Sequence, residues 1–303
     1  MIRNRNFSTE RAALTLPEAL FIGAICVTVA LFLLMRLPRG REQARATACL
    51  SNLNQIGQAM GYYAQSTGVF PENPLWTPPI AEPGTSVLWT MRNHANLWNF
   101  VDVRREIEGK SGKKTGEKPA APAGLRCPSD RASAVPGATN YRANAGSEKS
   151  GTDGPFAIGK RVTPHAVEAA DGMAFTAAFA ERLIGTGAAE PGPADYRLVE
   201  RCDDTSEERS KTGSLQIEKD AGHDWSRGDW IMSLYQHGIR PNSPNSAVAT
   251  RENCANMGSS SGHQGSVHVL LLDGSARSWR DKVDATVWRR LGGFSDSSLP
   301  EKP

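Results

Sequence analysis

The sequence lacks the charge and the aromatic content of a nucleic-acid-binding protein. Its 303 residues include 35 Lys and Arg against 32 Asp and Glu, for a net charge of +3, and only 7% of them are aromatic. Recognition of a nucleic acid needs a basic stripe interleaved with stacking side chains. We therefore expect no nucleic-acid partner.

The sequence also lacks metal-binding motifs. It has no Cys-x-x-Cys pair, which is common in structural zinc sites, and its six histidines lie without metal-ligand spacing. His263 and His268 are five residues apart, and residues five apart on one strand face opposite sides of a sheet. We expect no catalytic residue, no resident cofactor and no histidine metal site. Calcium binding remains possible at one acidic cluster, in which the carboxylates of Asp203, Asp204, Glu207 and Glu208 would be the ligands.

Long apolar runs are missing except for one near the start of the chain. Residues 19–35 carry no charge, and among the 22 residues from Leu14 to Met35 the one charged residue is Glu18. At about 1.5 Å per residue, this stretch spans about 33 Å, enough to cross a bilayer core of about 30 Å. The sequence predicts a transmembrane helix over residues 14–37.

Two kinds of membrane segment remain once a cleaved secretory signal is disfavoured. A secretory signal has an apolar core of about 7–15 residues and a small-x-small cleavage site, whereas this run is longer and ends in Arg36, Leu37 and Pro38. Arginines flank the run on both sides, so the distribution of charge does not set its orientation. An ordinary anchor and a prepilin-type leader both remain open.

The order of residues from Arg11 to Glu18 bears on this choice. The segment RAALTLPE resembles a type IV prepilin leader, which a dedicated peptidase cuts before the apolar helix and whose new terminus it N-methylates. The resemblance implies a leader over residues 1–13 and cleavage between Ala13 and Leu14, where the family has Gly and usually Phe. It also implies a single pass through the cytoplasmic (inner) membrane, with the N-terminus in the cytoplasm and the body extracytoplasmic.

Glu18 has two expected roles. In prepilins the matching carboxylate pairs with the new N-terminal amine of a neighbouring subunit during assembly, which offsets the cost of a charge in lipid. The spacing Thr15-x-x-Glu18, with Pro17 in the first turn, also fits a capping box at the start of a helix. The two roles are compatible.

The pattern beyond the apolar run predicts a second helix. Pro38 and Gly40 are expected to kink or briefly break the first one. An amphipathic helix is then predicted over residues 38–68, ending near Gly68 because Pro71 cannot continue it. Its apolar stripe repeats at spacings of four and three and consists of Cys49, Leu53, Ile56, Met60 and Tyr63.

Residues 69–303 form the predicted globular domain, which is rich in turns. An apolar strand over 266–272, a turn at 273–274 and a return strand over 276–280 predict a hairpin. Residues 283–291 predict a short helix after it. The expected fold class is α+β, with a long N-terminal helix packed on a body that has an antiparallel sheet and long loops.

Several segments, in order along residues 13–293, resemble one family, a planctomycete-type group of pseudopilin-like proteins of unknown function that is also filed as bacterial solute-binding family ten. The strongest match is the family's C-terminal motif, which is His263, nine residues, and then Asp273 and Gly274. The resemblance implies a type IV pilin-like fold. The other matching segments are 48–59 with Tyr63, Phe70 with Pro71, 127–130, 139–146, Asp171 and Gly172 with Thr176 and Glu181, and Pro241 with Asn242.

The C-terminal motif is expected to be structural. If residues 264–272 form one strand at about 3.3 Å per residue, His263 and Asp273 lie roughly 33 Å apart and share neither a proton nor a metal ion. Asp273 and Gly274 then serve the tight turn. His263 is expected to bond to the backbone at the start of the strand.

Four of the five cysteines follow the apolar run, and they lie outside the cytoplasm if the leader assignment is correct. Four cysteines allow three pairings, which the residues themselves leave open. The family resemblance implies disulfides between Cys49 and Cys127 and between Cys202 and Cys254. Cys26, inside the apolar run, is expected to be a small apolar residue.

Two functions remain as hypotheses, and neither is enzymatic. The first is a membrane-anchored pseudopilin-like protein with a structural or interaction role in the cell envelope, in a filament, a secretion apparatus or a surface module. Its expected partners are the lipid bilayer, a prepilin peptidase, other pseudopilins and an unknown surface ligand. The second is an extracellular solute- or glycan-binding protein in which Trp225, Trp230 and Trp279 supply stacking faces.

Overall fold

The structure is a computed structural model, and the chain divides into two compact units, residues 1–44 and 45–303. Within them the structure describes residues 15–73, 86–91, 120–130, 132, 135–186, 194–198, 217–243, 248–249 and 255–294.

Helix α1 (Leu16–Thr67) begins with one half of the capping box that the sequence predicts, the half in which Glu18 accepts from Thr15. The Thr15 backbone N–H and its Oγ1 hydroxyl donate to Glu18 Oε2 at 2.9 and 2.7 Å. The carboxylate thus satisfies a backbone donor at the helix start, which has no partner within the helix.

Apolar side chains in the first unit are exposed. Between residues 16 and 32 the large ones are 48–77% exposed, and at about 100° per residue they cover about two thirds of the helix circumference. Within the residues described, no helix is both long and apolar enough to qualify as a membrane span. The exposed side chains are Leu16, Leu20, Phe21, Ile22, Ile25, Val27, Val29, Leu31 and Phe32.

Helix α1 continues where the sequence predicts a kink or a break. Its 52 residues run without interruption past Pro38 and Gly40. A proline removes one backbone donor from a helix, but the hydrogen bonds of a long helix continue on both sides of it. The predicted break is therefore absent, and the long N-terminal helix expected from the sequence is a single element.

In the second unit, α1 buries the predicted apolar stripe. Cys49, Leu53 and Ile56 are fully buried and Met60 is 1% exposed, while Tyr63 packs against the same core. The helix ends at Thr67 as predicted. Gly68 follows with φ +76, the left-handed conformation that commonly ends a helix.

The body contains nine described strands and three further short α-helices. The helices are α2 (Val87–Met91), α3 (Pro164–Ala169) and α4 (Ala285–Arg290), with 3-10 turns at Ala123–Leu125 and Met173–Phe175. The strands are β1 (Tyr141–Asn144), β2 (Ala177–Glu181), β3 (Tyr196–Leu198), β4 (Ile217–Glu218), β5 (Leu234–Tyr235), β6 (Val248–Ala249), β7 (Ala255–Asn256), β8 (Ser266–Leu271) and β9 (Ala276–Arg280).

The main sheet is five-stranded, in the order β5-β1-β2-β8-β9, and a smaller sheet has the order β4-β3-β6-β7. In the main sheet β5 runs parallel to β1, and the other neighbours are antiparallel. Tyr141 pairs with Glu181 between β1 and β2. The hairpin β8-β9 and the following α4 agree with the elements predicted from the sequence. The observed fold is α+β.

The main sheet is covered on both faces because side chains alternate along its strands. On one face, Leu270 of β8 and Phe179 of β2 share a core with Leu53 and Ile56 of α1. On the other face, Val267, Val269 and Leu271 pack with Trp288 of α4. The sheet is therefore held between the N-terminal and the C-terminal helices of this unit.

Helix α1 meets the hairpin turn at Gly57. A Cβ added to Gly57 would lie 2.9 Å from Leu270 Cδ1 and 3.2 Å from the Gly274 Cα. Gly274 has φ +87, which favours glycine in the turn, and Asp273 Oδ1 accepts from the Ser275 N–H at 2.8 Å. The absence of a side chain at Gly57 permits this close approach.

We expect Leu53→Ala to lower the free energy of unfolding by about 2–5 kcal/mol, because it leaves a cavity between α1 and the sheet. Urea unfolding of the chain, followed by near-ultraviolet circular dichroism, measures the loss. Asn54→Ala, at the exposed neighbouring position, is the matched control and should change stability by well under 1 kcal/mol. Equal losses in the two variants would contradict the packing of α1.

Candidate functional site: a buried disulfide with two histidines and a glutamate

The candidate site lies in the second unit, where α1 passes the end of β2 and the start of β8. Its five members are buried, with at most 6% of each exposed. They come from four distant parts of the sequence, which only the tertiary fold brings together. The members are Cys49 of α1, Cys127 after the first 3-10 turn, Glu181 at the end of β2, His263 before β8 and His268 within β8.

The disulfide joins Cys49 to Cys127, with the two Cα atoms 5.3 Å apart. This is the pair that the family resemblance implies. The Cys127 backbone N–H donates to Asn140 Oδ1 at 2.8 Å, and Asn140 Nδ2 donates to Asp130 Oδ2 at 2.6 Å. A polar network therefore holds the cysteine-bearing loop beside β1, and the bond links α1 covalently to that loop.

Glu181 is the centre of the polar contacts in the site. His268 Nδ1 lies 3.1 Å from Glu181 Oε1, and His263 Nε2 lies 3.4 Å from the same oxygen. The His268 backbone N–H donates to Glu181 Oε2 at 2.9 Å. An ionised carboxylate is only an acceptor, so the hydrogen-bond network places a proton on each facing imidazole nitrogen.

The electrostatics of the site favour an ionised Glu181. Burial raises the pKa of this carboxyl, but hydrogen bonds from His263 and His268 and their charge outweigh burial and lower the pKa to about 2. Burial and the nearby Glu181 charge raise the pKa of Tyr141 above its ordinary value. Asn52 Nδ2 donates to the Tyr141 hydroxyl at 3.2 Å, so α1 also contacts the polar edge of the site.

His263 does not face away from His268 as predicted. Both rings contact the same oxygen, Glu181 Oε1, and His263 Nε2 also lies 3.5 Å from Cys127 Sγ. The expected bond of His263 to the backbone stays a prediction. The ring centroids of the two histidines are 4.5 Å apart. The prediction was wrong because β8 begins only at Ser266. Gly265 adopts φ +70, which interrupts the alternation assumed for one continuous strand.

Asp273 and Gly274 lie beyond the opposite end of β8 from His263. Asp273 is exposed, and its Oδ1 accepts from the Ser275 N–H and hydroxyl at 2.8 and 2.7 Å. The two ends of the motif thus have different roles in this fold. Asp273 shapes the turn against α1, and His263 faces the disulfide.

Several predicted residues fall outside the described part of the chain. They are the cleavage pair Ala13 and Leu14, the second cysteine pair Cys202 and Cys254, and the acidic cluster considered for calcium, which is Asp203, Asp204, Glu207 and Glu208. Cys26 is described, and it is an exposed free cysteine on α1.

The tryptophans considered for glycan stacking offer little exposed surface. Trp225 and Trp230 are 2% and 4% exposed. Trp279 is partly buried and packs edge-on against Trp288, with ring centroids 6.3 Å apart. Two of the three rings therefore have no free face for a sugar.

Residues 258–262 have the sequence Gly-Ser-Ser-Ser-Gly, which has the Gly-x-Ser-x-Gly spacing of a nucleophile elbow. The prediction of a non-enzymatic protein did not take this motif into account. Such an elbow is a sharp turn from a strand into a helix, whereas this segment is irregular and leads into β8. Ser260 is 4% exposed. Its hydroxyl oxygen accepts from the Leu183 N–H at 3.1 Å, and its own N–H donates to the Glu181 carbonyl at 3.0 Å. Ser260 thus positions the end of β2.

A second buried polar group, which the sequence pattern did not reveal, joins β5 to α4. His237 Nδ1 lies 2.8 Å from the Trp288 carbonyl, so Nδ1 is the donor, and its Nε2 lies 2.8 Å from the Tyr235 hydroxyl. Burial lowers the pKa of His237 to about 3, against the opposing effect of the bond to Trp288. This imidazole is neutral and structural.

One family model, described as Protein of unknown function (DUF1559) and named SBP_bac_10, matches residues 38–286. The match covers α1 from Pro38 onward, both sheets and the whole candidate site. No curated protein and no solved structure matches the chain.

We expect Glu181→Gln to lower the free energy of unfolding at pH 7 by about 1.5–3 kcal/mol, because hydrogen bonds to a charged group are lost. Since the folded pKa of Glu181 lies below its ordinary value near 4.5, its stabilisation is complete above that pH and is lost as the pH falls towards 2. Chemical unfolding at a series of pH values should show a flatter acid limb in the variant. Glu148→Gln, at an exposed position, is the control. An acid limb as steep as that of the wild type would contradict this role.

We expect His237 to make the fold less stable as the pH falls from about 6.5 towards 3. Its folded pKa is lowered, so the unfolded chain takes up a proton in this range and the folded chain does not. His237→Gln should therefore lose less stability between pH 7 and pH 4 than the wild type, measured by thermal unfolding. His165→Gln, at an exposed position of α3, should follow the wild-type profile. Parallel profiles for all three proteins would show that His237 is not the responsible group.

Proposed function

Because the chain belongs to the SBP_bac_10 family of unknown function, we propose that it is a membrane-anchored, pseudopilin-like envelope protein with a structural or interaction role. In this proposal the N-terminal part of α1 is held in the inner membrane in a single pass. The body, which carries the sheet and the disulfide, lies outside the cytoplasm and contacts other envelope components.

The observation that carries the proposal is the apolar surface of α1 between residues 16 and 32. Its large apolar side chains are 48–77% exposed and cover about two thirds of the helix circumference at about 100° per residue, and the small residues Ala19, Gly23 and Cys26 occupy the remainder. A helix with one apolar face packs on a core, whereas a helix that is apolar all round needs an apolar environment on every side. Lipid, or lipid together with neighbouring apolar helices, supplies that environment.

Glu18 supports the pilin-like form of this anchor. It is a carboxylate in the first turn of α1 and the one charged residue between Leu14 and Met35, and it accepts from the Thr15 N–H of the same chain. Cleavage between Ala13 and Leu14 would create a positively charged amine at Leu14. In an assembly, such an amine on one subunit and the Glu18 carboxylate on the next would neutralise each other in lipid.

The Cys49–Cys127 disulfide supports an extracytoplasmic body. Disulfides persist mainly in oxidising compartments and are rare in the cytosol. With residues 14–37 in the membrane and Cys49 beyond them, an extracytoplasmic body requires the N-terminus to remain in the cytoplasm. A prepilin peptidase, the lipid bilayer and other pseudopilins are the partners this arrangement implies.

The proposed role is non-enzymatic. The buried polar groups of the candidate site bond to one another and to the backbone, and Glu181 in particular accepts from His268 and contacts His263. The alternative of an extracellular solute- or glycan-binding protein has less support, because Trp225 and Trp230 are buried. We therefore favour an interaction surface over a ligand pocket.

We expect the double variant Ile25→Arg with Val29→Arg to lose membrane association. Each arginine near the centre of the segment disfavours insertion by about 2.5–3.5 kcal/mol, so the ratio of membrane-bound to soluble protein should fall at least tenfold. Fractionation of bacterial cells expressing the full chain, followed by alkaline carbonate extraction, measures this ratio.

Gln58→Arg introduces the same side chain at an exposed position of the same helix and is the matched control. It should remain in the carbonate-resistant membrane fraction with the wild type. A wild-type chain recovered in the soluble fraction would refute the anchor.

The same samples test cleavage of the leader. An N-terminal peptide beginning at N-methylated Leu14 supports the pilin-like route, whereas an intact Met1 supports an ordinary membrane anchor instead.

A further inference from the structure

We propose that Cys49, Cys127, Glu181 and His263 form a tetrahedral zinc site when the disulfide is reduced. The same two sulfur atoms then serve two mutually exclusive states of the protein, a disulfide and a metal centre. This inference concerns the body alone and does not depend on how α1 is anchored.

The four side chains already converge. One ligand atom from each, the two Sγ atoms, a Glu181 oxygen and a His263 nitrogen, can be chosen so that all lie within 4.8 Å of one another, and all four residues are buried. His263 Nε2 is the common neighbour, at 3.4 Å from Glu181 Oε1 and 3.5 Å from Cys127 Sγ. Within the described residues, this is the one group of cysteine, histidine and acidic side chains with such convergence.

Two of the six distances between the ligand atoms, both from His263, match the edges of a zinc tetrahedron. Zinc lies about 2.3 Å from sulfur and about 2.0–2.2 Å from imidazole nitrogen or carboxylate oxygen, so neighbouring ligands of a tetrahedral ion are about 3.3–3.8 Å apart. The contacts of His263 with Glu181 and Cys127 have this length before any movement. After reduction, the two sulfur atoms need to separate from about 2 Å to the same range, which small rotations about the cysteine side-chain bonds can supply.

The donor set selects zinc by its chemistry. Two thiolates and an imidazole in a tetrahedral arrangement suit zinc better than magnesium or calcium, which prefer oxygen ligands and higher coordination numbers. Four protein ligands close the coordination sphere, which is typical of a structural site rather than a catalytic one.

His268 is the positioning residue of the proposed site. Its backbone N–H and its Nδ1 both bind Glu181, at 2.9 and 3.1 Å, and hold the carboxylate towards His263. Metal-ligating carboxylates are commonly oriented by a hydrogen bond of this kind. The strand β8 therefore positions the Glu181 ligand through His268, and the turn before β8 carries the His263 ligand.

The exchange between the two states balances with a dithiol as the reductant. The dithiol passes two electrons and two protons to the Cys49–Cys127 bond, which breaks to give two thiols, and the reductant becomes a disulfide. Zinc binding then releases the two thiol protons to solvent as the two Zn–S bonds form, and the proton on His263 Nε2 also leaves, to Nδ1 of the same ring or to solvent, as the Zn–N bond forms. Reoxidation reverses both steps and expels the ion.

The full-length chain, solubilised in detergent, tests this directly with Co²⁺ as a spectroscopic substitute for zinc. One sample stays oxidised, and the other is reduced with a phosphine that is removed before titration. We expect one Co²⁺ per reduced chain, with the visible absorption of a tetrahedral ion and a thiolate-to-cobalt charge-transfer band, both abolished by Zn²⁺. The oxidised chain should bind at least 100-fold more weakly. Equal binding by the two samples, or none by the reduced one, would overturn the proposal.

Ligand identity is tested with His263→Ala and Glu181→Gln, which should each weaken Co²⁺ binding at least tenfold in the reduced chain. Cys26→Ser, which removes the exposed free cysteine, should bind as the wild type does. Wild-type affinity in both ligand variants would refute the assignment.

A second measurement on the wild-type chain covers the case in which a ligand variant does not fold. Alkylation of the reduced chain, mapped by mass spectrometry, should show Zn²⁺ protecting Cys49 and Cys127 together. Protection confined to Cys202 and Cys254, or no protection, would place the metal elsewhere or exclude it.

Discussion

The contact between α1 and the central sheet is the interaction on which the rest of the body depends. Leu53 and Ile56 pack on Phe179 and Leu270, and Gly57 lets the helix backbone approach the hairpin turn. This contact brings Cys49 to Cys127. It also covers the face of β8 on which His268 lies, and so encloses the polar cluster.

Local patterns predicted much of the fold. Three elements follow from residues close in sequence, which apolar periodicity and turn residues predict. They are the apolar stripe from Cys49 to Tyr63, the hairpin β8-β9 and α4. The break allowed for at Pro38 and Gly40 does not occur, because the helix-forming residues on both sides of them continue the backbone hydrogen bonds. The resemblance, and not the periodicity, supplied the Cys49–Cys127 pair.

The candidate site was harder to predict because its contacts span the chain. Glu181 appeared in the sequence only as part of a matching segment, and nothing local relates it to His263 or His268. The regular alternation of a strand placed the two histidines on opposite faces, whereas a single glycine in the left-handed conformation, Gly265, brings their rings together. Such a site follows from tertiary packing, in which burial of Glu181 is offset by its histidine partners.

The disulfide has a consequence for the integrity of the chain. It closes a loop of 78 residues in sequence between α1 and the body. A protease that cuts one peptide bond anywhere inside that loop therefore produces two fragments that remain covalently joined. The apolar segment would stay attached to the sheet after such a cut, so under oxidising conditions a nicked molecule would still be retained wherever α1 is held.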